Sequence, residues 1–102
     1  MGGNMQQMVL KAQKMQQEIE RVQEEVGASE IEYSAGGGAV KVVIYGRKEL
    51  KSIEIQPDCV DPDDVEMLQD LIIAAVNGAI ALADETMNRE MNKVTGGMKL
   101  GF

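Results

Sequence analysis

From Val65 the apolar residues recur at helical spacing, through Leu68, Leu71, Ile72, Ala75, Val76, Ala79, Ile80, Ala83, Met87 and Met91 to Val94, with no proline in the run. Asp61-Pro62-Asp63-Asp64 supplies a start signal, with Asp61 as the cap, Pro62 at the first helical position and further acids on the positive end of the dipole; Gly96-Gly97 supplies the stop. A helix over residues 62–95 spans about 50 Å at 1.5 Å per residue. A domain of 102 residues is not that wide, so part of the helix must pack on a partner or project. Its most apolar block, Leu71 to Ala83, falls between Asp70 and Asp84 and is shorter than the roughly 20 residues a membrane span needs. It reads as buried helix, not as an anchor. Because the helical period continues through Asn77-Gly78, Gly78 is expected to permit a close helix approach, not to turn the chain.

An earlier helix is expected over residues 4–26. Met5, Met8, Ala12, Met15, Ile19, Val22 and Val26 keep a 3-4 spacing for three heptads, and Gly27 is the expected stop. The seam is narrow and rich in methionine, which suits packing against one partner helix. Between the helices, residues 28–57 read as an antiparallel meander of three strands: Ser29–Ser34, Ala39–Tyr45 and Leu50–Gln56. Gly36-Gly37-Gly38 makes the first turn and Gly46-Arg47-Lys48-Glu49 the second. Val40, Val42 and Ile44 share one face, with Ile31 and Tyr33 buried beside them in the first strand and Ile53 and Ile55 in the third. The fold class is therefore α+β, in the order α-β-β-β-α, as one domain over residues 1–102 with a loose tail at 96–102.

The chain has no histidine, no tryptophan and one cysteine, which excludes Ser-His-Asp triads, Cys-His pairs and histidine-bearing zinc sites. The acids of residues 58–66 lack the calcium-loop pattern and read as helix capping, so no metal and no cofactor are expected. Gly36-Gly37-Gly38 is followed by a strand and not by a helix with a Lys-Ser/Thr pair, so it is a turn and not a phosphate loop. Cys59 sits among acids that blunt a thiol and has no assigned role. No enzymatic chemistry is left standing, and no small-molecule substrate. The first residues lack a basic region followed by an apolar block, and a lone thiol suits a reducing compartment, so a cytoplasmic location is expected.

A net charge of −7 opposes a polyanionic partner until it is resolved along the chain. Residues 1–17 carry Lys11 and Lys14 and no acid, whereas residues 18–32 are net −5. Residues 33–53 are +3, residues 54–85 are −9, and residues 86–102, with Arg89 and Lys93, are +2. The acidity belongs to the body and the middle of both helices. With three aromatics in all, any contact with nucleic acid must rest on cations and backbone amides and not on stacking.

Along nearly its whole length the sequence resembles the YbaB/EbfC family of bacterial nucleoid-associated proteins. The resemblance rests on the Met/Gln-rich first helix with Met8, Met15 and Gln16-Gln17, on Gly36-Gly37-Gly38-Ala39-Val40-Lys41-Val42, Gly46 and Ile53-Glu54-Ile55. Its most specific part is Pro62 to Ile72 followed by Ala74-Ala75-Val76-Asn77, and it ends on Thr95-Gly96-Gly97-Met98. The resemblance implies a tweezer-like homodimer with projecting helices that binds double-stranded DNA, located in the nucleoid. The expected dimer residues are Leu68, Leu71, Ile72, Ala75, Val76, Ala79 and Ile80. The expected DNA contacts are Lys11, Lys14 and Arg21 on the first helix with Arg89 and Lys93 near the end of the second, helped by Gln6, Gln7, Gln13 and Gln17. The function that follows is DNA binding of low sequence specificity, contributing to nucleoid organisation and gene regulation. Its rival is an acidic protein-interaction module whose methionine seam and Leu10 grip a replication or recombination protein without touching DNA.

Overall fold

The structure is a computed structural model that describes residues 2–96. Helix α1 spans Gly2–Ala28, strands β1, β2 and β3 span Glu30–Ala35, Val40–Tyr45 and Leu50–Ile55, and helix α2 spans Val65–Thr95. The expected α+β order is present, and the sheet is an antiparallel meander in the order β1-β2-β3. Gly36, Gly37 and Gly38 all have positive φ, the left-handed geometry that side chains resist, and this is why the first turn is a glycine run.

Both helix ends near the sheet differ from the sequence reading. Helix α1 does not stop at Gly27 but continues to Ala28. Its final carbonyls need no left-handed glycine, because the β2–β3 turn meets them: the Arg47 backbone N–H donates to the Gly27 carbonyl at 3.2 Å and the Arg47 guanidinium adds a bond of 3.3 Å. Helix α2 begins at Val65, not at Pro62, and its cap is Asp64 and not Asp61, accepting the Met67 N–H at 3.2 Å. Asp61-Pro62-Asp63-Asp64 is instead a turn. The Asp63 N–H donates to the Asp61 carboxylate at 2.9 Å and the Asp64 N–H to the Asp61 carbonyl at 3.0 Å. Proline suits the second position of such a turn as well as it suits a helix start, so its fixed φ did not discriminate between them. At the far end Gly96 keeps right-handed helical geometry, and residues 97–102 of the expected tail lie outside the described residues.

The core is a layer of side chains between α2 and two of the three strands. Val40, Val42 and Ile44 of β2 are buried with Ile31 of β1 against Ala75, Ala79 and Ala83, one residue per turn on α2. Alanines at this spacing let the helix lie close to the sheet. Close approach is also what Gly78 serves, although its neighbour is the sheet and not another helix. A Cβ at residue 78 would overlap the ring of Tyr33. Tyr33, expected to be buried, lies with this ring edge against the helix and the rest exposed.

Helix α2 covers β1 and β2, and β3 is left open. Ile53 pairs with Val42 and Ile55 with Val40, so they share the core face, yet they are 39% and 37% exposed. The expectation that they are buried fails in the single chain because one helix is too narrow for three strands. A second feature of α2 matches this. An 18-residue stretch of it, longer than the block between Asp70 and Asp84, has a mean hydropathy of 1.6, enough to cross a bilayer by composition, and only 11% of it is buried in the single chain. The alanine stripe on the sheet accounts for part of that apolar surface; Ile73, 57% exposed, belongs to the remainder.

The molecule measures 76 × 25 × 16 Å with a radius of gyration of 20.2 Å, against about 13 Å for a compact chain of 100 residues. The excess length is α1. Only Val22 and Val26 of its seam are buried, Met15 and Ile19 are half-buried, and residues 4–14 are exposed on every side. The seam packs against α2 over its last third, and the rest is a projecting arm. Substituting Gly78→Ala gains about 1 kcal/mol of helix propensity but forces Tyr33 aside, and overpacking of this kind costs about 1–3 kcal/mol. We expect a net loss of stability in urea unfolding that Tyr33→Ala, in the Gly78→Ala background, partly reverses.

Candidate functional site

The described residues contain no group of three or more His, Cys, Asp or Glu side chains placed to hold a metal. Charge on the surface is what distinguishes one region from another, and the cations fall into two classes. Most are held by acids. On the solvent face of the sheet Lys41 bridges Glu54 at 3.1 Å and Glu32 at 3.5 Å, and Lys51 pairs with Glu30. Hydrogen bonds to these carboxylates raise the pKa of both lysines. In the β2–β3 turn Arg47 bonds Glu49 at 2.8 Å and lies 4.3 Å over the Tyr45 ring, while Lys48 reaches Asp84 of α2 at 2.6 Å. The basic segment at residues 33–53 is thereby matched, cation by cation, with acids that, Glu49 apart, the linear charge count had placed elsewhere.

Of the expected DNA contacts, Arg21 is held most completely. It lies between Glu18, three residues before, and Glu25, four after, with bonds of 2.7 Å to Glu18 and 3.0 Å to both oxygens of Glu25. These bonds hold the Glu18 carboxyl below its ordinary value and push the Arg21 guanidinium further up. The Glu18-x-x-Arg21-x-x-x-Glu25 spacing announces the clamp in the sequence, and reading Arg21 as a DNA contact alongside Lys11 and Lys14 missed it. Near the end of α2, Lys93 bonds Glu90 at 2.9 Å and Arg89 lies 3.7 Å from the same carboxylate. One acid shared by two cations leaves this end net positive.

Lys11 and Lys14 form the second class. Among the described residues they are the cations without an acid in salt-bridge range. Both lie on the exposed half of α1, three residues apart and so on adjoining positions of one flank, with Gln7 one turn away. No acid precedes Glu18 on this helix. The arm is therefore a rod of exposed positive charge on an acidic body, and beside its cations runs an open groove lined by Met8, Ala12, Met15 and Ile19 and closed at one end by Val94 of α2.

The expected dimer residues divide by burial. Ala75 and Ala79 are fully buried against their own sheet, so they serve the subunit core. Leu68, Leu71, Ile72, Val76 and Ile80 pack partly on that core and keep some surface. Gly78 faces Tyr33 of β1, whereas Asp84, on the other side of the helix, meets the β2–β3 turn. Ile73, Val76 and Ile80 share Asp84's side by helical spacing, so this apolar flank overhangs the open β3. Sequence periodicity pointed to α2 and missed Ile73, Ile53 and Ile55, because their exposure depends on which strands the helix covers.

The carboxylate clamps make a pH prediction. Glu18 and Glu90 both have lowered pKa values, through hydrogen bonds from Arg21 and Lys93. A lowered carboxylate contributes helix stability that is present above its unfolded pKa and lost as pH falls through the folded value. Carboxylate titration by NMR should show the Glu18 midpoint rise in Arg21→Gln and the Glu90 midpoint rise in Lys93→Gln; midpoints that stay put would remove the clamps.

Comparison with known proteins follows this geometry. A nucleoid-associated protein of Acetivibrio thermocellus is 60% identical over 97 residues, covering 95% of this chain and 86% of its own. One from Pelotomaculum thermopropionicum is 55% identical over 100 residues, covering 98% of this chain and 95% of its own. Among solved structures, the uncharacterized protein HP0035 from Helicobacter pylori shares the fold with a TM-score of 0.68 at 23% identity, over 82% of this chain and 88% of that one. The sequence profile described as the YbaB/EbfC DNA-binding family matches residues 1–98, and the chain belongs to that family.

Proposed function

We propose that this protein binds double-stranded DNA as a homodimer with low sequence specificity, in the bacterial nucleoid and thus in the cytoplasm, and contributes there to nucleoid organisation and gene regulation. The observation that carries this reading is the arm: Lys11 and Lys14 stand free of acids on a projecting helix, while the cations of the sheet are neutralised. A phosphate backbone repelled by the acidic body can still be met by rods that hold their charge beyond a screening length of about 8 Å. Family membership and the names of the relatives support DNA as the partner. Nothing on the arm offers a base-reading constellation; lysines address phosphates as point charges, and the glutamines beside them are exposed side chains on a solvated face. Arg89 and Lys93 are secondary contacts on this reading, and Arg21 a weak one, since its guanidinium is already occupied by two carboxylates.

The dimer rests on the uncovered apolar face. Ile53 and Ile55 of β3 and Ile73, Val76 and Ile80 of α2 line one side of the body, and a second copy offering the same side would cover β3 and the helix flank together. Two copies place two arms on one assembly, so four free lysines address the duplex.

Two outcomes test the reading. Binding to random-sequence duplex DNA should fall with salt at about 0.9 log unit per phosphate neutralised, and replacing Lys11 and Lys14 by Gln should flatten the slope by about 3 to 4 for the dimer. An unchanged slope would sink the arm as the contact. Replacing Ile53 and Ile73 by Asp should convert the dimer to monomers in sedimentation, with the three-stranded sheet retained by circular dichroism.

A further inference from the structure

Phosphate contacts use the lysine flank of the arm and leave its apolar seam unexplained. Met5 and Met8 are 72% and 70% exposed, Ala12 is exposed, and Met15 and Ile19 are half-buried at the mouth of the groove. Exposed methionines at strict 3-4 spacing on a helix stripped of tertiary contacts are costly to leave in water. We propose that this seam pairs with the same seam of a second copy, the two arms running antiparallel, so that one assembly is joined to another arm to arm.

The occupant and the direction both follow from the flanks of the seam. Lys11 and Glu18 are one heptad apart, each just before a seam residue (Ala12 and Ile19), and so lie on the same flank. The opposite flank, just after Met8, Met15 and Val22, carries Val9, Gln16 and Gln23 and no charge. In a parallel pair each flank meets the opposite flank of its neighbour, which sets Lys11 and Glu18 against glutamines. In an antiparallel pair each flank meets its own copy, and Lys11 of one arm faces Glu18 of the other twice over. The pattern is complementary to itself in one orientation. A carboxylate has capacity for more than one donor, so Glu18 can accept Lys11 of the second copy while keeping Arg21.

The seam residues agree with that register. Aligning Ala12 with Met15 of the second copy sets Met8 opposite Ile19, and the sequence repeats in reverse across the centre. Each small Ala12 then faces a long, adaptable Met15. The overlap ends there, because the next layer would set Met5 against Val22, which is already buried against α2. The contact is thus short and electrostatically steered. Lys14, one position further round the helix, stays outside the seam and free for phosphate, whereas Lys11 meets phosphate only on an arm that is unpaired. Arm pairing goes beyond the DNA-binding reading, since it requires no DNA.

Sedimentation equilibrium of the full chain without DNA, at low salt and rising concentration, tests it. The expected result is a species of twice the starting mass, four chains or more if the body dimer holds. Lys11→Glu and Glu18→Lys should each weaken this step about tenfold, because each replaces two attractions with two repulsions. The double swap K11E/E18K should restore it to within about threefold, with helix content checked by circular dichroism. No heavier species, indifference to the single reversals, or failure of the double swap to rescue each overturns the antiparallel pairing. In an Ile53→Asp and Ile73→Asp background the same step should run from one chain to two, which separates failure of arm pairing from failure of the body dimer.

Discussion

Everything in this chain is arranged around the contact of Ala75, Ala79 and Ala83 with Val40, Val42 and Ile44. These six side chains are buried and every one is apolar, so the helix-to-sheet distance is set by methyl groups on one side and branched side chains on the other. That contact fixes α2 over β1 and β2. Two consequences follow from the width of one helix: β3 keeps its apolar row open, and α1 can reach α2 only at the end that carries Val22 and Val26. The free arm and the uncovered strand are therefore the same fact seen from opposite sides of α2.

Electrostatics follows the packing. Where elements lie side by side, acids and bases come within reach and cancel, as Lys41 with Glu32 and Glu54 across the strands, or Lys48 of a turn with Asp84 of α2. Where a helix stands alone, charge meets only what its own spacing supplies. Arg21 finds Glu18 and Glu25 at three and four residues, whereas Lys11 has Gln7 one turn away and Lys14, with Glu18 four residues on, makes no ion pair with it while that carboxylate is bonded to Arg21. Each exposed pair is worth little on its own. Together they decide where net positive charge survives on a chain of −7.

Much of this was legible before any coordinates. Periods of 3.5 to 3.6 and of 2 gave the element order, and the glycine run fixed the first turn, because those signals are local. The misplaced features depend on partners distant in sequence or on residue types that two local structures share. Gly27 looked like a stop, but the end of α1 is capped by Arg47, twenty residues on. Asp61-Pro62 looked like a helix start, and the cap three residues later, Asp64, took the role because a turn uses the same residue types. Ile53 and Ile55 alternate as buried residues do, and nothing in their own strand says that the helix stops short of them. Lys11 and Lys14 were singled out with Arg21, although the acids three before and four after Arg21 already mark it, and the salt-bridge geometry separates it from them.

The size of the core bears on the proposed dimer. Among the described residues the buried apolar set is nine side chains, three of them alanines and two more contributed by the base of the arm. Small domains bury a low fraction of their apolar surface, and the net stability of any domain is a small difference between large terms. An α2 with only 11% of its apolar stretch fully buried, and a strand whose core-side row is exposed, leave stabilisation unrealised in the single chain. Covering that side with a second copy would realise it without adding a residue, and would also fix the spacing of two arms relative to each other. On the proposed function, the same apolar deficit that drives assembly of the body is what converts two isolated lysine rods into a bidentate grip on one duplex.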